Sequence, residues 1–349
     1  MTTNQQWILQ RRPEGRVKRS DFELRETPLP PLGPGECLIQ ILYLAMDPAT
    51  RGWMSPSGGY IEPLPLGGPV MGVTIGKVVE SRNPQIQPGL TVAGVGPWAR
   101  FMIAGPEQIS PVRTGVVGVL APMDTSTGHE LPMYLHAMGT SGGTSWYGLL
   151  DVAQMKPGDN VLVSGAAGSV GSLATQFARL KGAGKVVGIA GGAAKCQEAT
   201  RDYGCDSCID YRSATDMSAA IARQFPEGID VYFDNVGGEI LEAAIDNLAK
   251  RARIAICGMI SKYNDSAPSP GPKNLWNLLV HTARIEGFLV SDWFGTPTSE
   301  AAYRQISAWL KDGKLNARLD IREAFDRVPE TFDELFSGGN HGRLIVKVS

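Results

Sequence analysis

At 349 residues the chain is longer than one ordinary hydrophobic core, so we expect two domains. Lys and Arg number 33 and Asp and Glu 35, and the net charge of −2 excludes a basic surface for nucleic acid or an anionic membrane. The 42 glycines exceed the average share of about 7%, which is typical of folds with many tight strand-to-helix turns.

Targeting and metal motifs are not found in the sequence. The first residues lack the charged-then-apolar layout of a signal peptide, and no apolar run approaches the ~20 residues of a membrane span. Five cysteines form no disulfide framework, and four histidines have no metal-ligand spacing. We therefore expect a cytoplasmic protein without a metal site, in which Cys205 and Cys208 are small apolar strand residues.

The N-terminal third predicts a β-rich domain. Apolar, β-branched runs at 37–43, 70–79 and 90–95 are separated by Gly-Pro turns, which favours a compact barrel. The segment 340–348 predicts a last strand that returns to this domain. We place the β-rich domain at residues 1–130 and 310–349.

From Tyr134 onward the pattern changes to alternating strands and helices, which we assign to a second domain at 131–309. Six strands joined by helical crossovers predict a doubly wound parallel sheet, whose ligand lies beyond the carboxyl ends of the strands. The predicted strands lie at about 160–163, 185–189, 207–210, 229–233, 252–256 and 284–290.

The first of these strands leads into a dinucleotide-binding fingerprint. Ala166, Gly168 and Gly171 occupy the G-x-G-x-x-G positions, with alanine at the first. The three small residues are expected to permit the tight turn, the approach of a diphosphate and the packing of helix on strand. An amphipathic helix follows and is predicted to stop at Gly182. Its N-terminus favours a bound phosphate.

The end of the second strand favours NADP(H) over NAD(H). NAD-binding units place Asp or Glu about 20 residues after the fingerprint, on the ribose 2′-hydroxyl. Here Gly191 and Gly192 are followed by Ala193, Ala194 and Lys195, so no carboxylate is expected to repel a 2′-phosphate. Lys195 would neutralise that phosphate, although a solvated surface lysine is the alternative interpretation.

Small or polar residues follow three further strands, in the segments 234–238, 257–264 and 287–290. Each segment alone is compatible with ordinary turn chemistry. Their recurrence at successive crossovers predicts that they line the ligand edge of the sheet.

Taken together, these motifs resemble the zinc-independent branch of the medium-chain dehydrogenase/reductase superfamily, which includes prostaglandin, alkenal double-bond and curcumin reductases. The resemblance runs nearly from end to end and implies a GroES-like barrel beside a Rossmann domain. The matching segments are 43–48, 51–54, 142–144, 147–151, 164–172, 233–238, 257–264 and 340–342.

The resemblance implies a path for the cofactor. It places the diphosphate on Gly168, Ser169, Val170 and Gly171, the 2′-phosphate on Lys195 and Tyr211, and Thr144 and Asn235 along the cofactor. The residues implied around the nicotinamide half are Cys257, Gly258, Ile260, Ser261, Tyr263, Phe288, Leu289, Val290 and Asn340.

The chemistry that the resemblance implies is NADPH-dependent reduction of the C=C bond of α,β-unsaturated ketones or aldehydes, with hydride added at the β-carbon. Tyr263 matches the family's active-site tyrosine, whose phenol would donate to the developing enolate oxygen in the substrate pocket. Tyr263 could instead be a loop aromatic that packs on the cofactor, and water or a ribose hydroxyl could supply the proton. Arg51 is either a second pocket residue or a structural ion-pair partner on the barrel.

Several positions depart from related patterns. Met46 stands near the first zinc cysteine of zinc alcohol dehydrogenases, and Gly67-Gly68-Pro69 replaces their Gly-His-Glu segment. Ala49 and Trp146 replace tyrosines expected in the reductase branch, so substrate preference is not carried over.

Two other functions remain open at this point: a zinc-free NADPH quinone reductase, and a non-catalytic nucleotide-binding or structural protein. The partners expected are a small-molecule enone or enal, with no nucleic acid or membrane. By analogy with relatives, we expect a homodimer joined through the nucleotide domain.

Overall fold

The computed structural model describes residues 3–56, 59–111, 119–265 and 270–349. The chain divides into two compact units. The first is formed by Met1–Leu135 with Leu319–Ser349, and the second by His136–Arg318. The predicted domain boundaries, at 130/131 and 309/310, fall near these divisions. That the two parts are separate domains stays a prediction.

The strands of both units are numbered in chain order. They are β1 (Thr3–Leu9), β2 (Phe22–Pro28), β3 (Cys37–Ala45), β4 (Met71–Ser81), β5 (Thr91–Pro97), β6 (Phe101–Ala104), β7 (Ala121–Pro122), β8 (Asn160–Ser164), β9 (Lys185–Ala190), β10 (Ser207–Asp210), β11 (Ile229–Asp234), β12 (Leu248–Ile256), β13 (Arg284–Gly287), β14 (Leu319–Arg322) and β15 (Arg343–Lys347).

The helices are numbered in the same way. They are α1 (Ala49–Trp53), α2 (Thr140–Trp146), α3 (Ser169–Leu180), α4 (Ala193–Asp202), α5 (Met217–Gln224), α6 (Gly238–Ile245), α7 (Trp276–His281), α8 (Pro297–Lys311) and α9 (Val328–Ser337). A π-helical segment, Tyr147–Val152, continues α2. No helix in the described ranges is long and apolar enough to cross a membrane.

The first unit is built on a mostly antiparallel sheet with the strand order β14-β15-β3-β4-β5-β7, in which β6 also pairs with β3. The predicted return of the last strand is confirmed, since β15 pairs with β3 through Ile345 opposite Ala45. Strands β14 and β7 are the two edge strands and do not pair with each other. The described residues therefore form an open β-rich sheet, and the predicted barrel closure is not seen among them.

Some strands of the first unit, β1 and β2 among them, are not apparent in the sequence. Strands β1 and β2 form a separate antiparallel pair, in which Trp7 lies opposite Leu24. Their sequences, TNQQWIL and FELRETP, are too polar to predict strands from apolar alternation. The pair is anchored instead by the Trp7 side chain, which is buried and donates from Nε1 to the carbonyl of Phe325 at 2.8 Å.

The second unit confirms the predicted doubly wound parallel sheet. Its strand order is β10-β9-β8-β11-β12-β13, and every neighbouring pair is parallel. The central strands have buried apolar centres, such as Val161–Val163 of β8, because helices cover both faces of such a sheet. Since the strands run the same way, their carboxyl ends meet at one edge, where a ligand is expected.

In the second unit, the predicted strand bounds differ by more than one residue at two places. Strand β12 begins at Leu248, four residues before its predicted start. The prediction began later because the charged residues 250 and 251 interrupt the apolar pattern, and in the structure Arg251 has a φ of +64°. Strand β13 ends at Gly287, before the predicted 290, because the Phe288 ring packs edge-on against Tyr147 and Phe233. A 3₁₀ turn, Val290–Asp292, follows it.

Candidate active site

The turn between β8 and α3 depends on Gly165, which the sequence analysis did not single out. Its φ is +63°, a conformation that glycine adopts without steric cost, and its carbonyl accepts from the Gly168 nitrogen at 2.9 Å. Ala166, to which the sequence analysis assigned this turn, lies within it, is fully buried and packs against Gly188 of β9. A Cβ on Gly171 would lie 2.2 Å from the Gly165 carbonyl oxygen, which confirms that Gly171 permits close packing of helix and turn.

The N-terminus of α3 follows this turn. Gly168 is its N-cap and supplies no side-chain cap, so the first-turn N–H groups point toward the carboxyl edge of the sheet without a capping side chain. The helix then buries Leu173, Ala174, Phe177 and Ala178, and Gly182 follows its end with a φ of +86°. The predicted helix and its stop are confirmed, and binding of a diphosphate by residues 168–171 stays a prediction.

The second turn of the sheet, Gly191–Gly192, gathers two cations and a phenol. Tyr211 follows β10, and its hydroxyl lies 2.8 Å from where a Cβ on Gly191 would stand. Arg212 reaches within 3.9 Å of the corresponding point on Gly192. Lys195 lies half-buried in the first turn of α4.

The pKa of Lys195 depends on these surroundings. Burial lowers the pKa of the Lys195 ammonium; Glu198 opposes this and the positive charge of Arg212 adds to it. A bound anion would relieve the repulsion between the two cations. Arg212 was not among the predicted site residues, although it directly follows Tyr211, which was.

The expectation that no carboxylate stands at this turn was wrong. Asp210, the last residue of β10, accepts from the Gly192 nitrogen at 2.7 Å and from the Arg212 nitrogen at 2.9 Å. These two backbone hydrogen bonds lower the pKa of Asp210 and hold it ionised. The Asp210 carboxylate thus binds the backbone of the turn. Because Lys195 and Arg212 carry two positive charges, the site still has a net positive charge with Asp210 ionised.

A buried carboxylate organises the next part of the edge. Asp234 ends β11, is fully buried, and accepts from the hydroxyls of Ser164 at 2.9 Å and Tyr232 at 2.7 Å. It also accepts from the nitrogens of Val236 and Gly237, so it shapes the loop after β11. The sequence analysis placed Asp234 in the segment 234–238 at the ligand edge but gave it no role, because that role depends on contacts between strands that are 70 residues apart in sequence.

Asn235 is held beside the fingerprint strand. Its side-chain nitrogen donates to the carbonyl of Ser164 at 2.7 Å, and its backbone nitrogen donates to the Ser164 hydroxyl at 2.9 Å. The structure thus brings Asn235 to the end of β8, next to the turn that begins at Gly165. Its contact with a cofactor stays a prediction.

The loop after β12 is tied to the same edge. The nitrogens of Cys257 and Gly258 donate to the Asp234 carbonyl at 2.8 and 3.1 Å, and the Ile260 nitrogen donates to the Asn235 carbonyl at 3.2 Å. Ser261 donates to the Val236 carbonyl from both its nitrogen and its hydroxyl. These bonds bring the predicted segment 257–261 against the loop after β11.

Tyr263 closes this loop. Its hydroxyl accepts from the Met259 nitrogen at 3.4 Å and lies 3.2 Å from where a Cβ on Gly258 would stand. Burial raises the pKa of Tyr263, and the Met259 hydrogen bond only partly opposes this. The phenol is therefore protonated at neutral pH and can donate a hydrogen bond.

Four predicted residues of this unit remain: Thr144, Phe288, Leu289 and Val290. Thr144 lies half-buried in α2. The Phe288 ring fills the space over Gly148, where a Cβ would be 2.3 Å away, so the ring packs inside the unit. Leu289 is exposed and Val290 half-buried. Contact of these residues with the nicotinamide half stays a prediction.

In the first unit, Arg51 is buried and satisfied by main-chain acceptors. Its guanidinium donates to the carbonyls of Pro13 and Gly15 at 2.9 Å and to the Ser55 hydroxyl at 3.0 Å. Burial lowers the pKa of Arg51, and Asp21 opposes this. These contacts favour a structural role; a pocket role for Arg51 stays a prediction.

The two segments of the first unit that resemble the family's site are joined by an ion pair. Arg343, at the start of β15, is buried and binds Asp47 through both terminal nitrogens, one of them at 2.9 Å. Asn340 is also buried, and its side-chain nitrogen donates to the Gly342 carbonyl at 3.0 Å. Asp47 is thus fixed as a structural residue of the turn after β3.

Among residues 3–56, 59–111, 119–265 and 270–349, no three or more His, Cys, Asp or Glu side chains are placed to hold a metal ion. All five cysteines carry free thiols.

Comparison with known proteins identifies the family. A family model described as the N-terminal domain of oxidoreductases matches residues 5–112, and one described as zinc-binding dehydrogenase matches residues 169–311. The NADPH-dependent curcumin reductase of Escherichia coli is 35% identical over 99% of this chain and 97% of its own. Prostaglandin reductase 1 of Bos taurus is 37% identical over 98% of both chains.

A plant enzyme and a solved structure extend the comparison. The 2-alkenal reductase of Nicotiana tabacum is 35% identical over 99% of this chain and 98% of its own. The crystal structure of CurA from Vibrio vulnificus in complex with NADPH superposes with a TM-score of 0.87 and 32% identity, over 99% of each chain. The chain therefore belongs to the medium-chain dehydrogenase/reductase superfamily, in the branch that contains the curcumin, prostaglandin and 2-alkenal reductases.

Proposed function

We propose that this protein is an NADP(H)-dependent oxidoreductase that reduces the C=C bond of α,β-unsaturated ketones or aldehydes. The observation that carries the proposal is the protonated Tyr263 hydroxyl, held beside Gly258 in a loop bonded to the carboxyl end of β11. The relatives' names support it, since they include an NADPH-dependent curcumin reductase and an NADP-dependent 2-alkenal reductase.

The residues around Gly191–Gly192 fit a 2′-phosphate. Lys195 and Arg212 supply two positive charges, Tyr211 supplies a phenolic donor, and the first turn of α4 is capped by Gly192 without a competing side chain. A phosphate dianion would bind there more strongly than a ribose hydroxyl, because both cations would gain a partner. The turn at Gly165 and the uncapped N-terminus of α3 fit a diphosphate.

NADPH, when bound, supplies the hydride for the β-carbon of the substrate. As that bond forms, negative charge moves through the conjugated system to the carbonyl oxygen. The phenol of Tyr263 donates a hydrogen bond to that oxygen, where a donor lowers the barrier most. The proton for the α-carbon then comes from Tyr263, from water or from a ribose hydroxyl.

The proposal is tested by following NADPH absorbance with a panel of small enones, enals and phenylpropenoid ketones, and with a quinone under identical conditions. Turnover of at least one enone or enal, faster than turnover of the quinone, supports the proposal. A quinone turned over faster than every enone would instead favour the quinone reductase alternative. Tight NADPH binding with no turnover of any acceptor would leave a non-catalytic nucleotide-binding protein.

We also propose that the protein is a homodimer joined through β13. This strand ends the parallel sheet, and all four of its residues are exposed. An unpaired edge strand offers N–H and C=O groups to a second strand. Next to it, α7 presents large apolar side chains to solvent at helical spacing: Trp276 is 70% exposed, Leu279 66% and Val280 49%.

The sequence of β13 is complementary to itself. If two copies pair antiparallel about Ile285, Arg284 lies opposite Glu286 of the partner subunit, and the symmetry repeats this contact. Opposite charges that face each other across strands stabilise the pair, whereas like charges destabilise it. The exposed apolar face of α7 would be covered in the same dimer.

We place the enzyme in the cytoplasm. Five unpaired thiols, three of them half-exposed, persist most readily in a reducing compartment. Fractionation of the native source with an antibody against the protein tests this, and recovery outside the cytoplasmic fraction would contradict it.

A further inference from the structure

A buried histidine contacts the first residue of α3. His136 is fully buried, and its Nδ1 lies 3.1 Å from the hydroxyl of Ser169. The same hydroxyl lies 2.7 Å from that of Ser141, in the first turn of α2, which is itself buried. Two side chains therefore converge on one hydroxyl at the point where α3 begins. Neither His136 nor Ser141 was singled out in the sequence.

The backbone holds His136 in place. Its carbonyl accepts from the nitrogens of Gly139 at 3.1 Å and Gly142 at 3.0 Å. Gly142 is packed so closely that a Cβ there would be 1.9 Å from the Ala137 carbonyl oxygen. The imidazole thus sits on a rigid segment, and its position relative to Ser169 is set by the fold.

A second contact fastens the same two helices. The hydroxyl of Ser145, in α2, lies 2.8 Å from the carbonyl of Val170 in the first turn of α3. The N-terminal turn of α3 is therefore braced from α2 at residues 169 and 170. This is the turn to which the proposed function assigns the diphosphate.

The direction of these hydrogen bonds depends on whether Nδ1 of His136 carries a hydrogen. The Ser169 hydroxyl carries one hydrogen and two acceptor lone pairs. If Nδ1 of His136 carries a hydrogen, both His136 and Ser141 can donate to Ser169, and the hydrogen of Ser169 is then directed elsewhere. If Nδ1 carries no hydrogen, the Ser169 hydroxyl donates its only hydrogen to the imidazole.

We propose that His136 is a positioning residue for the dinucleotide diphosphate: its Nδ1–H and the Ser141 hydroxyl both donate to Ser169, which commits the Ser169 hydrogen to a phosphate oxygen. The inference rests on the proposed NADP(H) function and goes beyond it by assigning a role to two residues outside the fingerprint. A hydroxyl that donates to an anion makes a stronger hydrogen bond than one that donates to a neutral group.

The test is a double-mutant cycle on NADPH affinity, measured by titration with His136→Leu, Ser169→Ala and the double variant. Each single change is expected to weaken NADPH binding about tenfold, since a hydrogen bond to a charged group is lost. The double variant is expected to bind no more weakly than Ser169→Ala, because His136 acts only through Ser169.

His136→Asn is the matched rescue variant, because its amide nitrogen can stand near the position of Nδ1. It is expected to bind NADPH within about threefold of the unsubstituted protein. Losses that add in the double variant, or a His136→Leu variant that binds as tightly as the unsubstituted protein, would overturn the inference. Failure of the unsubstituted protein to bind NADPH at all would overturn the proposed function itself.

A second measurement does not depend on the folding of any variant. The ¹⁵N spectrum of the unsubstituted protein with NADPH bound distinguishes a protonated from a bare ring nitrogen. A protonated Nδ1 on His136 is expected, and a bare Nδ1 would contradict the proposed direction of the hydrogen bonds.

Discussion

The hydroxyl of Tyr263 is folded back onto its own loop and accepts a hydrogen bond from the backbone nitrogen of Met259 at 3.4 Å. Because the hydroxyl accepts in this contact, its own hydrogen is left for a substrate, and the contact, which is long for a hydrogen bond, holds the phenol weakly. Burial, the main cause, keeps the pKa of Tyr263 above its ordinary value of about 10.

Replacing Tyr263 with Phe is expected to lower kcat by about 10²-fold, because a donor to the developing enolate oxygen is lost. Affinity for NADPH should change little. Since the raised pKa keeps the phenol protonated, kcat of the unsubstituted enzyme should fall only as the pH rises through that pKa. The Tyr263→Phe variant should not show this fall in kcat at high pH. Steady-state rates between neutral pH and pH about 11 check this. An unchanged kcat in the variant would assign Tyr263 to packing.

The cation pair at Gly191–Gly192 is expected to determine cofactor choice. Lys195→Ala and Arg212→Ala should each weaken NADPH binding about tenfold and leave NADH binding nearly unchanged, because only NADPH carries the 2′-phosphate. Lys311→Ala, an exposed lysine at the end of α8, is the matched control and should change neither affinity. Equal losses for both cofactors would mean that these cations hold the fold and not the phosphate.

The packing of α3 on its turn is tested by Gly171→Ala. The added Cβ would stand 2.2 Å from the Gly165 carbonyl oxygen, so the helix must shift, at a cost of about 2 kcal/mol in the free energy of unfolding. Gly271→Ala is the control, since a Cβ there meets nothing within 4 Å. Thermal unfolding should show a lower Tm for the first variant alone. Equal Tm values for both variants would contradict the packing described.

The dimer proposed through β13 makes a charge-reversal prediction. Arg284→Glu and Glu286→Arg should each weaken the dimer, because like charges would then face each other across the strands. The variant with both changes should dimerise again, and a mixture of the two single variants should form heterodimers. Sedimentation velocity measures all four, with Arg304→Glu on α8 as an exposed control.

Two outcomes would contradict this arrangement. An unsubstituted protein that is monomeric would remove the dimer altogether. Single variants that remain dimeric would move the interface to another surface.

The sequence predicts the second unit better than the first, for a physical reason. Buried parallel strands such as β8 have short apolar runs at their centres, and the glycines of a dinucleotide turn stand out at fixed spacing. Strands β1 and β2 are hidden because polar residues dominate them. The end of β13 also depends on where the Phe288 ring packs, which local pattern does not contain.

The site was predicted in part. Lys195 and Tyr211 follow strands that adjoin in the sheet, and the structure brings both to Gly191–Gly192. The resemblance assigned a phosphate contact to Tyr211 but not to its neighbours Asp210 and Arg212, whose approach to this turn depends on the pairing of β9 with β10. The contact between His136 and Ser169 joins residues 33 positions apart and leaves no pattern in the sequence.

The most direct test of the account follows the transferred hydride. NADPH that carries deuterium at its transferable position is incubated with an enone, and the product is examined by NMR. The account predicts a saturated ketone with deuterium at the β-carbon. Deuterium on the carbonyl carbon, in an allylic alcohol, would contradict it.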